Sequence, residues 1–115
     1  MVIKKVRRKS IFFYRDFTEY GEKAARKNLT KDTMASLQAL HAKFSEMTQW
    51  EKALIHSTVV SVSEELELKL GKVAQPLRVA VTGDTVSPPI DETLFYMGRA
   101  VVQERLERAV AFIRN

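Results

Sequence analysis

Apolar residues recur at three- and four-residue steps along most of the chain, the period of a helix with one buried face. Met34, Leu37, Leu40 and Phe44 form such a stripe in residues 31–45, and Thr30 is placed to cap that helix. Thr48 and Glu51 make a T-x-x-E pattern, the form of a capping box. The helix it would open puts Ile55, Val59, Val62 and Leu66 on one face. Val59, Val60 and Val62 are β-branched and would also suit a strand, but their period favours a helix. Beyond Gly71, the spacing of Val73, Leu77 and Val81 predicts another helix, stopped by Gly83 in the left-handed region. Pro76 fits that helix only in its first turn, since proline lacks an N–H and clashes one turn back. Ser87-Pro88 then reads as an N-cap and first helical residue, with Ile90, Leu94 and Met97 facing inward and Gly98 as the stop. A last helix over 99–114 buries Val102, Leu106, Ala109, Val110 and Ile113. The pattern predicts four or five short helices with tight loops, an all-α, compact helical bundle. It is weakest over residues 68–86, because residues 77–81 also suit an extended segment.

Composition bounds the class. A chain of 115 residues with 45% apolar content suits one domain with a real core. No apolar run approaches the roughly 20 residues of a membrane span, so no membrane partner is expected. The absence of cysteine excludes disulfides, thiol nucleophiles and thiolate metal sites, and it suits a reducing, cytoplasmic setting. The apolar patch Ile11-Phe12-Phe13-Tyr14 is too short for an export signal, and residues 1–10 match a mitochondrial transit peptide in charge only.

Charge is uneven. The formal net charge is +5, and residues 1–10 (MVIKKVRRKS) carry five basic groups and no acidic one. Residues 11–115 are therefore formally neutral. The chain divides into a basic N-terminal segment, 1–10, and a helical domain, 11–115, itself divisible into about 11–70 and 71–115.

Catalytic chemistry is hard to find. His41 shares a helix face with Leu37 and Phe44, and His56 sits beside Ile55, so both read as partly buried core histidines. No histidine or carboxylate spacing suggests a metal, and no cofactor motif is present. Gly71-Lys72-Val73 is not a phosphate loop, because Leu66 stands where that motif needs glycine and Val73 replaces its Ser/Thr. An autonomous enzyme is not expected.

Binding chemistry is present. Lys4, Lys5, Arg7, Arg8 and Lys9 could grip phosphates without reading sequence, or serve as a solubilising tail or the edge of a longer chain. Lys23, Arg26 and Lys27 are interrupted by Glu19 and Glu22 and read as a solvated helix face. Gln75 and Arg78 lie one turn apart, followed by the Ser87-Pro88-Pro89 loop. Glutamine and arginine can each make two directional hydrogen bonds to a base edge or phosphate, and apolar groups can clamp base faces. The structural alternative is that Arg78 caps carbonyls while Pro76 and Leu77 pack.

The string LGKVAQPLRVAVTG (70–83), followed by SPPI (87–90) and Gly98, resembles the C-terminal anticodon-binding region of bacterial glutamyl-tRNA synthetase. FFYRDF (12–17), YGEKAARK (20–27), Trp50 and ERLERA (104–109) are similar to further parts of that region. The resemblance covers about residues 11–114, and the 70–83 string is its most specific part. It implies an α-helical cage that grips the anticodon arm of the glutamate tRNA. By motif match it implies base-reading roles for Gln75, Arg78, Ser87, Pro88 and Ile90. In the family this cage is appended to a catalytic Rossmann domain, whose H-I-G-H-type and K-M-S-K-S-type signatures do not occur here. Ser87 stands where some relatives have threonine, and residues 1–10 do not match the helix that precedes F-F-Y-x-D in the family.

The expectation is a monomeric tRNA-binding module without catalysis, cofactor or metal, partnered by glutamate tRNA and by a separate or upstream catalytic synthetase domain. The alternative is a degenerate synthetase paralogue acting as a protein-interaction module. A helix-turn-helix DNA regulator ranks below both, because no helix presents a polar recognition face.

Overall fold

The computed structural model describes residues 20–114, so the basic segment 1–10 and the FFYRDF motif lie outside the described residues. Six helices follow in order: α1 (Glu22–Asn28), α2 (Lys31–Glu46), α3 (Lys52–Glu65), α4 (Leu70–Thr82), α5 (Ile90–Met97) and α6 (Arg99–Arg114). The all-α bundle is as expected, and among the described residues it has one more helix than the apolar pattern predicts. That helix, α1, has only seven residues and buries little beyond Ala24 and Ala25, too short for a periodic signal.

The stripes read from the sequence form the core. Leu37, Leu40 and Phe44 of α2 pack with Ile55, Val59 and Val62 of α3, Val73 and Leu77 of α4, and Leu106 of α6, all essentially inaccessible. Burying a side chain of this size contributes about 1.5–3 kcal/mol. α2 lies along α6, α3 along α5, and α4 against α1, α3 and α6, so α4 is central. One continuous cluster of buried residues runs from Ala24 to Ile113. Among the described residues, no helix is long and apolar enough to cross a membrane.

Several boundaries differ from the sequence pattern. Residues 77–81 are helical, not extended. Pro76 lies in the middle of α4, beyond its first turn, and is buried. Packing against the core there outweighs the backbone hydrogen bond that proline forgoes. Thr48 and Glu51 do not form a capping box, because α3 starts only at Lys52, four residues after Thr48, with Glu51 itself at the N-cap. Ser87-Pro88 is not a cap either, since Pro89 is the N-cap of α5. Leu66 is exposed because α3 has already ended at Glu65.

Two glycines end helices as expected. Gly83 adopts φ 80°, and its N–H reaches the Val79 carbonyl at 2.8 Å. Gly98 has φ 91° and ψ 149°, a region that essentially only glycine enters, and joins α5 to α6 with no intervening residue.

Candidate functional site

The C-terminus of α4 and the loop to α5 are built around side chains rather than regular structure. Gln75 and Arg78 stand three residues apart, so they share one face of α4. Arg78 Nη1 donates to Gln75 Oε1 at 2.5 Å, which turns the amide so that Gln75 Nε2 donates to the Thr85 carbonyl at 2.9 Å. Arg78 Nε donates to Ser87 Oγ at 2.8 Å, and that hydroxyl in turn donates to the Pro88 carbonyl at 2.8 Å. Thr93 Oγ1 holds the same corner from α5, donating to the Pro88 or Pro89 carbonyl at 3.1 or 3.0 Å.

The near end of the loop is held as well. Thr82 Oγ1 donates to the Arg78 carbonyl at 2.7 Å and accepts from the Asp84 N–H at 3.1 Å. The Gly21 N–H reaches the Gly83 carbonyl at 3.3 Å, tying the start of the described chain to this turn. Beside it, burial raises the pKa of the Tyr20 phenol above its ordinary value, a shift that nearby Arg108 and Arg105 oppose.

Four of the five candidate residues thus meet in one hydrogen-bonded chain: Gln75, Arg78, Ser87 and Pro88. Ile90 stands apart, half-buried as the first residue of α5 and packed on the core. Among the described residues Arg78 caps no carbonyl, contrary to the structural alternative. It bonds two side chains, and among the described residues it takes part in no ion pair with a carboxylate. A half-buried guanidinium with spare N–H groups and no countercharge suits a planar acceptor or an anion. The Val86 side chain, between the two pinned residues, is 73% exposed.

A cleft of about 910 Å³ adjoins this loop and shares Gln75 and Thr85 with it. Lys27 of α1, Lys69 before α4 and Lys72 of α4 line it. The lysines come from separate elements, so no local motif announces them. Lys27 belongs to the stretch read as a solvated helix face. All three of its cations are exposed, Lys27 at the cleft and Arg26 paired with Glu22 at 2.9 Å in solvent.

The aromatic support of α5 was legible only as a spacing. Trp50 Nε1 donates to the Leu94 carbonyl at 3.1 Å and meets Phe44 edge-on, while the Arg99 guanidinium lies over its ring. The two histidines differ in setting. His41 is half-buried and bonded to Glu107 Oε2 at 2.8 Å. His56 is exposed, not a core residue, because it falls on the outer face of α3.

The family model described as an anticodon binding domain matches residues 2–110, beginning ahead of the motifs quoted above. A glutamate–tRNA ligase of Coxiella burnetii is 44% identical over 113 residues, which are 98% of this chain and 24% of that protein. One from Alkalilimnicola ehrlichii is 50% identical over 104 residues, covering 90% of this chain and 22% of that protein. The fold is also that of part of a glutamate tRNA ligase from Elizabethkingia meningosepticum, solved with its amino acid. The TM-score is 0.85 at 22% identity, over 96% of this chain and 22% of that one. The chain spans about a quarter of the length of the curated relatives it matches.

Proposed function

The chain belongs to the anticodon-binding-domain family and is homologous to the C-terminal region of glutamate–tRNA ligases, and from that premise we propose that it reads the anticodon of glutamate tRNA without catalysing aminoacylation itself. The hydrogen-bonded chain from Gln75 through Arg78 to Ser87 carries this reading. It fixes a guanidinium that pairs with no carboxylate among the described residues, and a polar loop, before any ligand arrives, so little ordering is left to offset on binding. Arg78 and Gln75 supply directional hydrogen bonds to base edges. The Ser87 hydroxyl and the Pro88 backbone complete the polar edge, and Ile90 offers an apolar face. Activation of glutamate is left to a catalytic domain, because the 115 residues carry neither nucleotide-binding signature of the synthetases. The module acts as a monomer in the cytoplasm.

Titrating the chain with an RNA hairpin carrying the glutamate anticodon, and with hairpins altered at the second and third anticodon bases, tests this directly. The altered hairpins bind more weakly, and Arg78→Ala removes about 1–3 kcal/mol of that discrimination, the worth of one good directional pair. Equal affinity for every hairpin would refute anticodon reading. Absence of RNA binding at physiological salt, with a protein recovered in its place, would favour the protein-interaction alternative.

A further inference from the structure

The cleft beside the loop has a chemistry the base-reading residues do not use. Among the described residues, three exposed lysines, Lys27, Lys69 and Lys72, and a single carboxylate residue, Asp32 in the first turn of α2, line it. By contrast, Lys43 bonds Glu65 at 2.7 Å, and Lys52 lies over the Phe95 and Tyr96 rings. Lys27, Lys69 and Lys72 take part in no ion pair among the described residues. Like charges around one cleft repel, and an anion entering it relieves that repulsion.

We propose that this cleft is a second RNA subsite, which takes the sugar–phosphate backbone of the strand whose bases reach Arg78 and Ser87. The proposal rests on the anticodon-binding reading and adds to it a place for the strand that leads to those bases. Three features select backbone over base. Among the described residues no aromatic ring lines the cleft, so none of them stacks a nucleobase there. Lysine is a compact charge on a flexible stem, suited to phosphates that carry no sequence information. The volume, about 910 Å³, is at the upper end for ligand clefts and larger than one phosphate group needs. Gln75 and Thr85 belong to both features, so a strand leaving the loop enters the cleft without crossing other protein surface.

The test measures affinity of the full chain for the glutamate-anticodon hairpin between about 50 and 200 mM salt, where phosphate contacts dominate the slope. Lys69→Gln with Lys72→Gln lowers the slope of log K against log salt by about 0.7–0.9 for each lysine removed. Lys27→Gln, on a different helix, lowers it by one such step and covers the case in which the double variant fails to fold. Base discrimination stays as in the parent in both variants. The control, Lys23→Gln with Arg114→Gln, removes two exposed charges outside the cleft and leaves the slope near the parent value. Slopes for the cleft variants equal to that of the control would overturn the proposal. Failure of anticodon reading registers separately, as equal affinity of the parent chain for all hairpins, whatever the slopes do.

Discussion

Arg105 does at the end of α4 what Arg78 was free not to do. It is 3% exposed, and its Nη1 donates to the Val81 carbonyl at 2.6 Å. That carbonyl is among the last four of α4, which have no partner within the helix. Arg105→Met keeps most of the buried stem and removes the donor. Leaving the carbonyl buried and unpaired costs about 1–3 kcal/mol, read as a fall in the urea midpoint. An unchanged midpoint would show that Arg105 is filling space only. The sequence did not distinguish the two arginines' tasks. Arg78 and Gln75 were legible because one turn separates them on a single helix. Arg105 meets Val81 across 24 residues, and only the packing of α6 on α4 creates that pair. The same holds for Lys27, Lys69 and Lys72, which are unremarkable until the fold gathers them.

Among the elements, helix bodies were readable and helix ends were less so. The buried stripes of α2, α4 and α6 follow their periodicity, because burying one face is what stabilises a helix of this length. The ends depend on local hydrogen bonds that many residue types can make. α3 shows why. Its stop carries no glycine: Glu67 itself adopts φ 57°, its N–H bonds the Glu64 carbonyl at 3.2 Å, and the Leu68 N–H bonds the Ser63 carbonyl at 2.8 Å. This is the Schellman pattern with a glutamate in the left-handed position. A side chain there costs about 1–2 kcal/mol, part of which glycine returns as extra freedom in the unfolded chain. Glu67→Gly therefore raises stability by about 0.5–1 kcal/mol in denaturant unfolding. A fall would mean that the Glu67 side chain contributes more than its conformation costs. Pro76 makes the converse point: a residue that should end or open a helix lies in the middle of α4, because the core there rewards its ring.

At the scale of the molecule, net charge does not point to the proposed RNA site. Of 19 basic residues, five lie in residues 1–10 and the remainder balance the 14 acids. Fold class was legible because helical period recurs in nearly every segment. The loop proposed to read bases was legible through a contiguous string of sequence, while the cleft was not, because its charges are balanced in composition and separated in space. These two sources of positive charge do different work. In the proposed reading, residues 1–10 add a long-range attraction to any polyanion, whereas Arg78 and its partners act only on the base that reaches them. Deleting residues 1–10 therefore weakens binding to every hairpin by the same factor and flattens the salt dependence, leaving base discrimination intact. The family match begins at residue 2, so the deletion needs a folding control by circular dichroism and urea unfolding. With folding retained, a loss confined to one anticodon would show that the basic segment itself reads a base, and the separation of charge from reading would fail.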